Sequence, residues 1–149
     1  MKIFKNLFSI LNNEESSPLK NTNPFIVALF VRAAKVDGTF HHKEKEFIIR
    51  LIERYFLIKN LEAKNLLEEA ENIEKNTSDT VQITKVIKDK IPYEDRIELI
   101  EDLWTVVLSD DKRDDEEDSF MRLCVKLLGI NDKDSALARR KVQNNIHKN

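Results

Sequence analysis

Residues 31–47, VRAAKVDGTFHHKEKEF, contain an apolar segment, an acidic turn and a second segment with helical spacing. The same plan returns in residues 104–120, WTVVLSDDKRDDEEDSF. Because 110 minus 37 and 117 minus 44 both equal 73, one offset aligns two pairs of carboxylates: Asp37 with Asp110, and Glu44 with Glu117. It also aligns apolar positions: Phe30 with Leu103, Phe47 with Phe120, Leu51 with Cys124, Ile52 with Val125, and Tyr55 with Leu128. This joint registration predicts an internal repeat of a helix, acidic turn, helix unit.

Helical periodicity extends through nearly all of the chain from Pro24 onward, interrupted by Gly38, Gly129 and Pro92. Capping residues and apolar spacing predict these helices: Pro24 to near Asp37, with Asn23 as N-cap; about His42 to Phe56; Leu61 to Glu74; one capped by Ser78 or Asp79; a long one opened by Pro92; Phe120 to Leu128, ending at Gly129; and one capped by Asn131. The predicted fold is all-α, a compact single-domain bundle of about seven helices, since 149 residues suit one domain.

The N-terminal residues 1–11, MKIFKNLFSIL, form an apolar stripe when placed on a helix, flanked by Lys2 and Lys5. We expect an amphipathic helix here, a polar linker over residues 12–23 and the helical domain over residues 24–149. The N-terminal segment is too short to cross a bilayer. Two alternatives remain open for it: packing on the body or on a neighbouring chain, and anchoring at a membrane surface.

Composition excludes some classes of function. The 25 basic and 27 acidic residues nearly balance, for a net charge of -2, which argues against nucleic-acid binding. The single cysteine, Cys124, excludes an intramolecular disulfide and suits the cytoplasm, with a peripheral inner-membrane position as a variant of that expectation. The sequence has no phosphate-binding glycine loop, nucleophile elbow or HExxH pair, so we expect a protein that is not an enzyme.

The first acidic turn resembles a motif of the TerB family, which is named for a tellurite-resistance protein and whose helical domain also occurs in some membrane-linked co-chaperones. The motif is Asp-Gly-x-apolar-x-x-x-Glu, present in full from Asp37 to Glu44. The segments PYEDRIELIEDLWTVVLSDD, residues 92–111, and LCVKLLGI, residues 123–130, look like the family's second half. The resemblance covers Phe25 to Val142 and implies a helical fold and metal binding linked to bacterial stress responses.

The acidic turns allow two interpretations. In the structural one, Asp37 and Asp110 end one helix while Glu44 and Glu117 stabilise the first turn of the next through its dipole. In the functional one, these same four carboxylates hold a hard divalent cation: Ca²⁺, Mg²⁺ or Mn²⁺. The second turn departs from the family pattern, with Asp111 in place of glycine, and its spacing does not match an EF-hand loop.

Two hypotheses about function follow. The first is a non-catalytic protein that binds a divalent metal ion in a stress or tellurite-resistance-type response. The second is a protein interaction scaffold or adaptor at the membrane surface, with no metal role, whose partner is a protein or a membrane complex. We expect structural roles for His41 and His42, as exposed helix-start residues, and for Cys124 and Trp104, as core residues. The cluster Arg139, Arg140 and Lys141 is either a solvated face or a contact for an acidic partner.

Overall fold

The computed structural model describes residues 22–36, 38, 40–109 and 115–147. Within these residues the chain forms seven α-helices and no β-strand. Their bounds are α1 Asn23–Ala34, α2 His42–Phe56, α3 Asn60–Asn76, α4 Thr80–Lys90, α5 Tyr93–Leu108, α6 Asp115–Leu127 and α7 Asp132–His147. The prediction of an all-α bundle is confirmed. The predicted N-terminal helix, residues 1–11, and most of the polar linker lie outside the described residues.

Helix α1 is the central element of the bundle. Every residue from Ile26 to Val31 is at most 1% exposed, and α1 contacts α2, α3, α4 and α5. Its sequence explains this position, because NPFIVALFVRAA carries a single charged residue, Arg32, and a helix that is apolar all round is stable only when it is surrounded.

The internal repeat predicted from the sequence is visible in the structure. Helices α1 and α2 correspond to α5 and α6, and equivalent positions at the offset of 73 are buried in both copies: Ile48 and Met121, Leu51 and Cys124, and Ile52 and Val125. The correspondence between the two halves extends to a third helix in each: α1 packs on α3, and α5 packs on α7. Phe47 and Phe120 are half-buried in both units.

The two copies differ by one residue at the end of their second helix. The left-handed residue that follows α2 is Leu57, with a φ of 56°, and the one that follows α6 is Gly129, with a φ of 70°. The amide that follows each closes the helix: Ile58 N–H donates to the Glu53 carbonyl at 3.2 Å, and Ile130 N–H to the Val125 carbonyl at 3.0 Å. The offset between the two left-handed residues is 129 minus 57, or 72, which is one less than the offset of 73 that aligns the preceding parts of the two helices.

Helix caps agree with the sequence in several places. Asp79 accepts a hydrogen bond from Val81 N–H at 2.9 Å, and Asn131 Oδ1 accepts one from Asp134 N–H at 2.8 Å. Asn23, predicted as an N-cap, is instead the first helical residue of α1, and Thr22 precedes it. Helix α1 also ends at Ala34, earlier than predicted.

Candidate functional site

A cavity of about 460 Å³ lies between the two acidic corners, by which we mean the starts of α2 and α6 that follow the acidic turns. Glu44, near the start of α2, and Glu117, near the start of α6, both line it. The last turns of α1 and α5 supply its apolar wall through Ala33, Ala34 and Val106. The fold therefore brings the two glutamates of the repeat, which lie 73 positions apart in sequence, to one cavity.

Glu44 has a capping role at this cavity. Its Oε1 accepts a hydrogen bond from the backbone N–H of His41, the N-cap residue of α2, at 3.3 Å. A glutamate at the third helical position commonly makes this contact, because it satisfies a backbone N–H that the helix leaves unpaired. The structural interpretation of the acidic turn is thus supported for Glu44.

Glu117 is the more buried of the two glutamates, with 7% of its surface exposed. A buried carboxylate is stable only beside positive charge or hydrogen-bond donors. His41, Lys43 and Arg50 line the same cavity, so cationic side chains from α2 share the space with both carboxylates. Any metal ion bound there would compete with Lys43 and Arg50 for the carboxylates.

The predicted ligand set is described only in part. Glu44 and Glu117 lie at the cavity, while Asp37 and Asp110 lie outside the described residues. Among the described residues, no three histidine, cysteine, aspartate or glutamate side chains are grouped closely enough to hold a metal ion. The four-carboxylate site stays a prediction.

The structure also describes four further candidates from the sequence: a histidine, the cysteine, the tryptophan and the basic cluster. His42 is exposed and its Nε2 lies 3.1 Å from Glu46 Oε1. Cys124 is fully buried, and burial raises the pKa of its thiol to about 12, which makes it a core residue rather than a nucleophile. Trp104 is 5% exposed and packs in the core. The basic cluster is divided, because Arg139 and Arg140 line one cleft and Lys141 turns to Glu101 at 3.1 Å.

Two buried carboxylates on α5, Asp95 and Asp102, were not anticipated from the sequence. They are 2% and 9% exposed. Burial raises the pKa of Asp95 to about 6 and that of Asp102 to about 7; Arg54 opposes the shift at Asp102, and Glu98 and Glu101 add to it. The sequence feature that could have revealed them is their spacing of seven residues, which places both on one face of a helix whose other residues are largely apolar.

The fold and the paired corners define an all-α bundle with two related halves. A family model described as tellurite resistance protein TerB matches residues 24–140. The chain belongs to the TerB family. No curated protein and no solved structure matches it. A membrane-spanning helix would need a longer uncharged apolar stretch than any helix within the described residues contains.

Proposed function

We propose that this TerB family protein is a non-catalytic binding protein whose acidic corners hold a hard divalent cation, Ca²⁺, Mg²⁺ or Mn²⁺, in a stress or tellurite-resistance-type response. The proposed ligands are Asp37, Glu44, Asp110 and Glu117. One observation carries the proposal: Glu44 and Glu117, from the two halves of the repeat, line one cavity.

The chemistry of the donors fits a hard cation. Carboxylate oxygens are the ligands that Ca²⁺, Mg²⁺ and Mn²⁺ prefer. Glu117 is 7% exposed, and a cation nearby would offset the free-energy penalty of burying its charge. Glu44 uses Oε1 for its cap, so its other carboxylate oxygen is the donor we assign to the metal.

Thermal unfolding in the presence of each cation tests the proposal. A ligand at a hundred times its Kd stabilises the folded state by about 2.7 kcal/mol, which raises the Tm of a domain of this size by about 5–10 °C. We expect this rise with at least one of Ca²⁺, Mg²⁺ and Mn²⁺ at millimolar concentration. The double variant Asp37→Asn with Asp110→Asn and the single variant Glu117→Gln should lose it.

A matched control separates a specific site from general charge screening. Glu62→Gln with Glu68→Gln removes two exposed carboxylates from α3 and should leave the cation-dependent rise intact. A wild-type protein with no rise at millimolar cation would refute the metal role. An equal rise in the Asp37 and Asp110 variant would refute the assigned ligands.

A second candidate function, an interaction scaffold at the membrane surface, is favoured by a different observation. Beside α6, a shallow surface combines the apolar residues Val36, Phe120 and Leu123 with the acidic residues Asp115 and Glu116, and Leu123 is 43% exposed. A partner held there should be released by high salt and lost in the variant Asp115→Asn with Glu116→Gln. Sedimentation with anionic lipid vesicles, with and without residues 1–11, tests the membrane component. Partners retained by the neutralised variant would contradict this function.

A further inference from the structure

A cleft of about 800 Å³ lies between α6 and α7 and shares no lining residue with the cavity of the acidic corners. Its floor consists of side chains that are at most 9% exposed: Trp104, Met121, Val125 and Ile130. Pockets for small molecules commonly measure roughly 300–1,000 Å³ and combine an apolar lining with a few polar groups. The cleft has the size and the floor of such a pocket.

The two halves of the repeat differ in how their second and third helices pack. Helix α2 packs against α3, whereas α6 and α7 are not closely packed and stand on either side of the cleft. At the offset of 73, Trp104 takes the place of Val31, and at the offset of 72 that applies after the helix end, Arg139 takes the place of Leu67. Two aliphatic positions in the first half are thus a tryptophan and an arginine in the second.

Trp104 and Arg139 form the centre of this difference. The guanidinium carbon of Arg139 lies 4.7 Å from the centroid of the indole ring, a cation–π contact. The indole N–H of Trp104 is buried, and none of the residues that the structure describes accepts a hydrogen bond from it. A buried donor without an acceptor is uncommon in folded proteins, because burial removes its hydrogen bond to water and no protein acceptor replaces it.

The walls of the cleft carry an excess of positive charge. Four cationic and two acidic side chains line it, a local net charge of +2 in a chain whose overall net charge is -2: Arg122, Lys126, Arg139 and Arg140, with Asp118 and Asp132. Among the described residues, only Arg139 of these four cations forms an ion pair, with Asp118 at a long 3.8 Å. Arg122, Lys126 and Arg140 are exposed.

We propose that this cleft binds a small organic phosphate monoester. Such a group carries a charge of about -2 at neutral pH, which matches the local charge of the walls. Arginine binds phosphate through paired N–H groups, and Arg122 and Lys126 on α6 face the cleft together with Arg140 on α7. The organic part of the ligand packs on Trp104 and Met121.

Arg139 is the residue that changes partner on binding. Its ion pair with Asp118 is long, and its side chain is 32% exposed, so it can turn from the indole ring to the phosphate. That movement uncovers the face of the indole ring on which Arg139 lies, and a bound ligand then offers an oxygen to the Trp104 N–H. The ligand thereby supplies the acceptor that the indole lacks.

The fluorescence of Trp104 reports on the cleft directly, because it is the only tryptophan of the chain. Phenyl phosphate is the probe, titrated in the presence of a chelator so that metal binding at the acidic corners plays no part. We expect a saturable change in emission, confirmed by isothermal titration calorimetry. Binding should weaken at least about tenfold in the variant Lys126→Gln with Arg140→Gln, and also as ionic strength rises. The control Lys64→Gln with Lys85→Gln, exposed on α3 and α4, should bind as the wild type does.

Each comparison ligand has a decisive outcome. Phenol and inorganic phosphate should both bind more weakly than phenyl phosphate, because each lacks one half of the ligand. Equal binding of inorganic phosphate would overturn the role of the apolar floor. A phosphotyrosine tetrapeptide that binds more than tenfold tighter would overturn the small-molecule assignment in favour of a phosphorylated protein. No binding of phenyl phosphate by either method would overturn the site.

Discussion

Leu57 and Gly129 occupy the same structural position at the ends of α2 and α6, and both have a left-handed backbone, with φ values of 56° and 70°. The left-handed conformation costs a residue with a side chain about 1–2 kcal/mol, because Cβ approaches the following carbonyl oxygen, and it costs glycine little. Leu57 gains little burial in exchange, since it is 52% exposed.

Leu57→Gly should therefore raise the free energy of unfolding by about 0.5–1 kcal/mol, the greater flexibility of the unfolded chain offsetting part of the gain. Gly129→Ala, its counterpart, should lower it by about 1 kcal/mol, since the added Cβ would also meet Lys88 Cε at 3.2 Å. Urea unfolding of the three proteins measures both effects. A destabilised Leu57→Gly variant would show that the Leu57 side chain contributes contacts that outweigh its backbone strain.

Arg32 ties the central helix to the junction between α3 and α4. Its guanidinium lies 3.1 Å from Glu74 Oε2 and also donates to the backbone carbonyls of Glu74 and Thr77. Both side chains are mostly buried. Arg32→Ala should lower the free energy of unfolding by about 2–4 kcal/mol, because it leaves Glu74 and these carbonyls with fewer donors.

The ion pair of Lys45 and Glu71 provides the matched control, at 3.4 Å between more exposed side chains. Lys45→Ala should lower the free energy of unfolding by less than about 1 kcal/mol. Chemical denaturation of both variants compares them. Equal losses would mean that burial does not distinguish the two ion pairs.

Asp102 should make the protein less stable as pH rises. Burial raises its folded-state pKa to about 7, above the value of about 3.9 in an unfolded chain. The folded state therefore holds the proton more tightly, and the stability of the neutral form is fully present below about pH 4 and is lost progressively up to about pH 7. Arg54 limits this loss, while Glu98 and Glu101 add to it.

Asp102→Asn should remove this dependence. The stability of the variant relative to wild type should increase by on the order of 2 kcal/mol between pH 5 and pH 8, as measured by urea unfolding at each pH. Asp89→Asn, on the exposed face of α4, serves as the control and should show no such change. A constant difference between Asp102→Asn and wild type would mean that Asp102 is ionised at both pH values.

Cys124 should react with thiol reagents only when the fold opens. It is fully buried and its pKa is raised to about 12, so both access and ionisation oppose reaction. Labelling by a chromogenic disulfide reagent should be on the order of a hundredfold or more slower in native buffer than in urea. With one cysteine in the chain, the signal has a single origin. Rapid labelling of the native protein would place the thiol at the surface.

Much of the fold was predictable, because it depends on local signals. The bounds of α2 follow from apolar spacing, and the caps at Asp79 and Asn131 follow from residue chemistry. The repeat was also readable, since one offset aligned charged and apolar positions together. The end of α1 at Ala34 was not predictable, because the residues between Ala34 and Asp37 carry no local signal that would stop the helix at Ala34.

The surroundings of the candidate sites were less predictable. The repeat aligned Glu44 with Glu117 but gave no indication that Lys43 and Arg50 would line the same cavity. The adjacent residues Arg140 and Lys141 looked like one cluster in sequence, yet a helix turns about 100° per residue, which separates them. Asp102 is buried because neighbouring helices pack over it, which its charge alone does not predict.

The one-residue difference between α2 and α6 has a geometric effect beyond the helix end itself. Removing a residue rotates the point where the chain leaves a helix by about 100° and withdraws it by about 1.5 Å. Helix α7 therefore leaves α6 in a different direction from the one in which α3 leaves α2. The cleft between α6 and α7, which Trp104 and Arg139 line, lies where this change of direction separates the two helices.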